Sequence, residues 1–279
     1  RFVHFLSNPD EASALSQFGD GDRYFSAVCL QVTLPGLPML AHGQIEGLSE
    51  KYGMDFSRPL WREPIRHDLV DRHRKWVVPL LRERYLYAGT RHFTFFSLRT
   101  EQGHEAPHVY AFINGTDRER RLVLVNHASH GIRGCLVGPD PQAHPVLAES
   151  FDWTGALLPG QRVDTPWILA RDQRSGEDHL LCRDTLDSRG LPCELNPYET
   201  VVLGPFHPVQ DEDGALAALY PDLAPVPHQG IRHHLGELRK SLIWNALENL
   251  WKDIWAESDP DHSLWLAWVQ MAESWPEPS

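Results

Sequence analysis

Read for its alternation of apolar and polar positions, the chain changes texture twice. Residues 2–6 form a short apolar run that reads as a buried strand and breaks into Asn8-Pro9 and two adjacent acids, Asp10 and Glu11. Residues 21–34 carry Tyr24, Phe25, Val28, Cys29, Val32 and Leu34 at helical spacing, and Pro35-Gly36 stops that helix. A second apolar run, residues 37–42, ends at Gly43. Strand, helix and strand within about 40 residues predict a parallel βαβ unit. Residues 65–87 read as one long helix, with Leu69, Val70, Trp76, Val77, Leu80 and Leu81 inward and a kink or split at Pro79.

From about residue 89 the period shortens. The runs 91–98, 108–114, 120–127, 132–137, 166–171, 178–182, 191–195 and 199–205 are rich in strand formers and separated by Gly, Pro, Asn and Asp. Many short strands at this spacing predict an antiparallel β-sandwich. From about 211 the texture is helical again. "DEDGALAAL" opens a helix, "PDLAPVPHQG" is a Pro-rich linker, and residues 231–257 and 262–274 read as helices bearing Trp244, Trp251, Trp255, Trp265 and Trp268. Trp244, Trp251 and Trp255 share one helical face, which suits a packed helical hairpin and also suits stacking on a flat ligand or a subunit contact. The expected organisation is therefore 1–88, 89–210 and 211–279.

Charge narrows the partners. The 279 residues carry a net charge of −12, which argues against nucleic acid and against anionic membranes, both of which select basic surfaces. No apolar run approaches the roughly 18 residues of a membrane span, and no signal peptide is visible, so a cytoplasmic location is expected. The four cysteines are scattered without a C-x-x-C pair and read as buried thiols. "HEAPH" at 104–108 matches a zinc-protease pattern but holds Pro107 where that chemistry needs a helix, so it reads as a loop. "NGT" at 114–116 is a glycosylation sequon that reads first as a hairpin turn. No metal and no cofactor is expected.

In a parallel α/β array, residues just beyond the C-terminal strand ends face the ligand. Asp10 occupies that position after the first strand, and His42, Gln44 and Glu46 occupy it after the second. Asp10 equally suits the N-cap of a helix starting near Glu11. Tyr52, Asp55 and Trp61, in the following loop, offer flat rings and a carboxylate to a ligand, or pack the loop.

"FLSNPD" at 5–10, "LPGLPMLAHGQIEG" at 34–47 and "EKYGMDF" at 50–56, in this order and with a helix between the first two, resemble the closing part of the alpha-amylase family of retaining alpha-glucan hydrolases and transferases. "CELNPYETVVLGPF" at 193–206 resembles the last strands of that family's β domain. The resemblance covers roughly residues 1–208. It implies the last two units of a (β/α)₈ TIM barrel, then an antiparallel β domain and a helical tail. It makes Asp10 the carboxylate that stabilises the transition state and puts Asn8, His42, Glu46, Tyr52 and Trp61 among the substrate-binding residues. It implies an alpha-glucan or maltooligosaccharide substrate and, as a partner, the N-terminal remainder of the barrel, which would carry the nucleophile and general acid. Two positions depart from the family pattern. Pro9 stands where a His is usual, and the Glu of the Gly-x-Glu segment comes one residue late, at Glu46. These departures leave open a non-catalytic carbohydrate-binding or scaffolding relative.

Overall fold

The computed structural model describes residues 2–51, 57–139, 151–212 and 214–223 and the single positions 226 and 231. The predicted Trp-rich helices therefore lie outside the described residues, as do Tyr52 and Asp55. The chain opens with β1 (Val3–His4), α1 (Ala14–Phe18), α2 (Asp22–Thr33) and β2 (Leu37–Pro38). β1 and β2 pair in parallel, Val3 with Leu37 and His4 with Pro38, as the βαβ reading requires. Both strands are shorter than expected, and Phe2, Val3, Phe5 and Leu37 are exposed rather than buried, because the pair has no third strand beside it among the described residues.

The helix expected over 65–87 is broken into α3 (His67–Arg72), a π turn (His73–Val77), α4 (Val78–Arg82) and α5 (Arg84–Tyr87). Pro79 is the cause. It has no N–H for the carbonyl four residues back and its ring crowds that carbonyl. The backbone widens ahead of it, so that Val78 N–H reaches five residues back to His73 O. Pro79 then sits in the first turn of α4, where a missing N–H costs nothing.

Eight antiparallel strands follow: β3 (Thr94–Thr100), β4 (Val109–Gly115), β5 (Arg120–Asn126), β6 (Ile132–Pro139), β7 (Trp167–Asp172), β8 (Asp178–Cys182), β9 (Leu191–Leu195) and β10 (Thr200–Val209). They do not form two separate sheets, as a sandwich would. They form one sheet in the order β8-β7-β10-β5-β4-β3-β6-β9. Register shifts in β10 between Leu203 and Phe206, and in β3 between Phe96 and Leu98, bend the sheet. It curls until both edges contribute to one core, with Leu181 of β8 and Leu191 and Leu195 of β9 in the same cluster. Two short helices, α6 (Trp153–Leu157) and α7 (Arg183–Arg189), add Trp153, Leu157 and Leu186 to that core.

The central strand β5 is buried at all seven positions, which explains its unbroken apolar run. Leu122 and Leu124 point into the curl, while Val123 and Val125 point to the opposite face. On that opposite face they join Phe112 and Val202, and α2 and α3–α5 cover them with Tyr24, Phe25, Leu69, Leu80 and Leu86. The parallel pair and its helices are thus fastened to the sheet through a shared apolar layer.

Side chains lock this layer. Arg121 is buried and donates to both oxygens of Glu83 and, at 2.8 Å, to Glu119. The Asn114 amide, also buried, donates to the carbonyls of Tyr87 and Gly89. The "NGT" asparagine is therefore internal, in the β4–β5 hairpin, and unsuited to glycosylation. Cys29, Cys182 and Cys193 are buried free thiols and Cys135 is half-buried. Burial pushes the Cys29 thiol up to about 12. The segment 104–108 lies in the connection between β3 and β4, and Glu105 bridges back to Arg99. A further helix, α8 (Ala215–Leu223), starts where the Asp211 carboxylate accepts from the Leu216 and Ala217 N–H groups. Among the described residues no helix is long and apolar enough to cross a membrane.

Candidate functional site at the paired strand ends

The position of the site follows from where β2 begins. Gly36 lies in the tight turn after α2 with φ of 127°, and a Cβ there would fall 2.5 Å from the Phe2 carbonyl just ahead of β1. Only glycine lets the two backbones approach this closely. Arg84 then gathers the turn. Its guanidinium donates to Val32 O at 3.1 Å and to Leu34 O and Gly36 O at 2.6 Å each. His4 Nε2 reaches Pro35 O at 2.6 Å. Leu37 N–H donates to Phe2 O and Met39 N–H to His4 O, which fixes the parallel register.

Beyond β1, Asn8 makes an Asx turn. Its Oδ1 accepts from Asp10 N–H at 2.8 Å and from Glu11 N–H at 2.9 Å. No helix starts at Glu11. α1 begins at Ala14, and Ser13 is its N-cap, accepting from Ser16 N–H. The alternative in which Asp10 caps a helix is thereby removed, and Asp10 stands exposed at the tip of the turn.

Beyond β2 the loop turns at Met39–Leu48. His42 lines a cavity of about 240 Å³ together with Asn8, Pro9, Glu11, Glu50 and Lys51. It also lines a neighbouring cavity of about 300 Å³ with Leu48, Glu50, Trp61, Arg62 and Glu63. Two carboxylates hold the walls of the second cavity. Glu63 accepts from the N–H groups of Ser49 and Glu50, and Glu50 accepts from those of Leu60 and Trp61. The structure thus brings Asn8 and His42 to one cavity and His42 and Trp61 to the next. The Asp10 carboxylate lines neither.

Gln44 and Glu46, expected on the same rim, turn away from it. Gln44 is buried. Its amide nitrogen donates to Gln31 Oε1 at 2.9 Å, its Oε1 accepts from Ala41 N–H, and Gln31 in turn donates to Met39 O at 2.6 Å. The Gln44 carbonyl meets Tyr24 Oη at 3.1 Å, and Tyr24 Oη meets His73 Nε2 at 2.9 Å. Glu46 is half-buried, and its charge acts on His73. Burial holds the His73 imidazole below its ordinary value, which its bond to Leu69 O and the Glu46 charge partly oppose. Sequence reasoning missed Arg84, Glu50, Glu63 and His73. Nothing in their local sequence marks them out, and their long-range contacts lie 10 to 52 residues away.

A larger cavity, about 610 Å³, shares no lining residue with these two. Trp76, Asp172, Arg174 and Glu199 are in its wall. The guanidinium groups of Arg72 and Arg174 lie over the Trp76 ring at 4.4 and 4.3 Å, and both arginines pair with Asp22. These contacts tie α2, α3 and the π turn to the β7–β8 turn.

Several solved structures are similar to part of this chain. An alpha-amylase from Geobacillus thermoleovorans complexed with acarbose matches over 72% of this chain and 38% of its own, with 14% identity and a TM-score of 0.46. The chain resembles alpha-amylase-type enzymes. An Anoxybacillus alpha-amylase matches over 75% of this chain and 38% of its own at 14% identity and a TM-score of 0.46. A Nostoc punctiforme debranching enzyme matches over 73% and 33%, at 17% identity and a TM-score of 0.42. This chain spans little more than a third of the length of these alpha-amylase-type structures. No family model and no curated protein matches the sequence. Among the described residues no group of three or more His, Cys, Asp or Glu side chains is placed to hold a metal ion.

Proposed function

We propose that the chain is the C-terminal part of an alpha-amylase-type glycoside hydrolase or glucanotransferase that acts on alpha-glucosidic bonds with retention of configuration. One observation carries the reading. Two parallel strands in register end side by side, and the segments beyond them, which carry the family-like "FLSNPD" and "LPGLPMLAHGQIEG" motifs, meet at one cavity through Asn8 and His42. In this reading Asp10 stabilises the oxocarbenium-like transition state from the tip of the Asn8 turn. Asn8 holds that turn, and His42 and Trp61 line the sugar-binding surface. Glu46 serves the loop from behind.

The nucleophile and general acid belong to further strands of the same barrel. The exposed strip of Phe2 (75%), Val3 (52%), Phe5 (46%) and Leu37 (63%) supports this, because a barrel strand and its helix would cover such a strip. In the protein that contains the whole barrel, Asp10→Asn should leave the melting temperature unchanged and abolish turnover of a maltooligosaccharide. Undiminished turnover sinks the assignment.

Pro9 favours a second reading. It lines the cavity where the family usually presents a His, and it offers no donor to a sugar hydroxyl. A relative that binds glucan without cleaving it would carry this change, and it would hold a maltooligosaccharide with equal affinity before and after Asp10→Asn.

A further inference from the structure

We propose that His73 is a positioning residue for the loop that carries His42, and that it acts by counting protons. The linked groups Leu69, His73, Tyr24 and Gln44 make three contacts that each need a hydrogen, and a neutral His73 with Tyr24 supplies two. His73 Nδ1 lies 2.9 Å from Leu69 O, which only accepts, so Nδ1 carries a hydrogen. Tyr24 Oη lies 2.9 Å from His73 Nε2 and 3.1 Å from Gln44 O, which also only accepts. Burial raises the Tyr24 hydroxyl well above its ordinary value, so it keeps its single hydrogen throughout.

With a neutral ring, that hydrogen points either to Nε2 or to Gln44 O, and the other contact brings two lone pairs together. Moving the ring hydrogen to Nε2 transfers the conflict to Leu69 O. A second ring proton resolves it. Nδ1–H donates to Leu69 O, Nε2–H donates to Tyr24 Oη, and Oη–H donates to Gln44 O. The groups facing His73 are Tyr24 and the Phe25 ring from α2, Glu46 from the loop and Arg72 from the preceding turn. Burial makes the proton costly and places its uptake below the ordinary imidazole value, while Glu46 supplies a counter-charge.

Of the three contacts, the one to Gln44 O is the one that yields in the neutral state, because Leu69 O lies in a helix and Gln44 lies in a turn. Gln44 keeps its side-chain bonds to Gln31 and Ala41, so the loop slackens at one point and is not released. The importance of this for glucan rests on the reading above; the proton count does not.

The test is NMR on the full chain between roughly pH 7.5 and 5, a range that spans imidazole titration. It follows the His73 ring nitrogens and the hydrogen-exchange protection of the Gln44 and Leu48 amides, corrected for intrinsic rate. These amides donate to Ala41 O and Gly43 O. Protection should rise on the order of fivefold as His73 gains its proton, the yield of one hydrogen bond. In Tyr24→Phe His73 should still titrate while protection stays level. In His73→Gln, which serves if the first variant does not fold, protection should stay level with pH. The proposal is overturned if His73 takes up no proton before the chain unfolds, if wild-type protection does not follow it, or if either variant shows the wild-type rise.

Discussion

Replacing Arg84 by Met removes one guanidinium from three backbone carbonyls while keeping most of the apolar stem. The guanidinium donates to Val32 O, Leu34 O and Gly36 O, and it is the clasp that sets where β2 leaves α2. A hydrogen bond to a charged donor is worth about 1.5–3 kcal/mol, and the carbonyls left behind lose their partner. Three such bonds do not add. One guanidinium serves all three, its Nε finds no acceptor and burial holds its affinity for a proton below the ordinary value. Water also reaches the half-buried turn once the charge is gone. The net loss should be about 3 kcal/mol, a large part of the roughly 5–15 kcal/mol that holds a protein folded. For a unit of this size that corresponds to a fall in Tm of about 6–12 °C. Urea unfolding gives the free energy. Amide exchange shows where it is lost, because Leu37 and Met39, whose N–H groups donate to β1, should lose protection before the β5 amides do. A loss under about 0.5 kcal/mol, or uniform loss across the sheet, would refute the clasp.

Three further outcomes follow. Gly36→Ala, with its Cβ driven against Phe2 O in a left-handed backbone, should cost about 2 kcal/mol or more and separate β1 from β2, read as a lower Tm with lost Leu37 protection. Burial holds His73, His108 and His127 below their ordinary imidazole values. The unfolded chain therefore binds more protons below about pH 6.5, and stability should fall as pH drops from there toward the folded values; urea midpoints at a series of pH values give the slope, which His73→Gln should reduce. A double-mutant cycle on Trp76→Leu and Arg174→Ala should show a coupling of about 0.5–2 kcal/mol from the cation–π contact, and additive effects would remove that contact from the account.

The strands of the sheet were legible because each strand announces itself locally. β5 reads as an apolar run because both of its faces are covered, and β3, β4 and β10 begin or end within a few residues of the turn signals that bound them. The α2 helix and its Pro-Gly stop were equally plain. The short helices α1, α6 and α7 were not, since five to seven residues hold too few turns for a period to show. At the candidate site, His42 was expected from its place beyond a strand end, Asn8 from the family-like motif and Trp61 from the loop that follows; the structure puts all three in cavity walls and leaves Asp10 outside them. Gln44 and Glu46 were legible as residues but not in direction, because a loop has no period to assign a face.

The sequence by itself determined the order of the longer elements, the parallel βαβ start, the break at Pro79 and the family-like motifs at the strand ends. Each depends on residues within a turn or two of one another, or on a rule of chain geometry that needs no partner. Only the tertiary structure decided that the eight strands join into one curled sheet, that its second face is shared with the opening helices, and that Ser13 and not Asp10 caps the first helix. It alone decided that Arg84, Glu50, Glu63 and the buried Gln44–Tyr24–His73 chain hold the loops in place. A polar side chain carries no mark of which distant donor or acceptor will meet it. That is settled when packing removes water and leaves each buried group to find its hydrogen inside the protein.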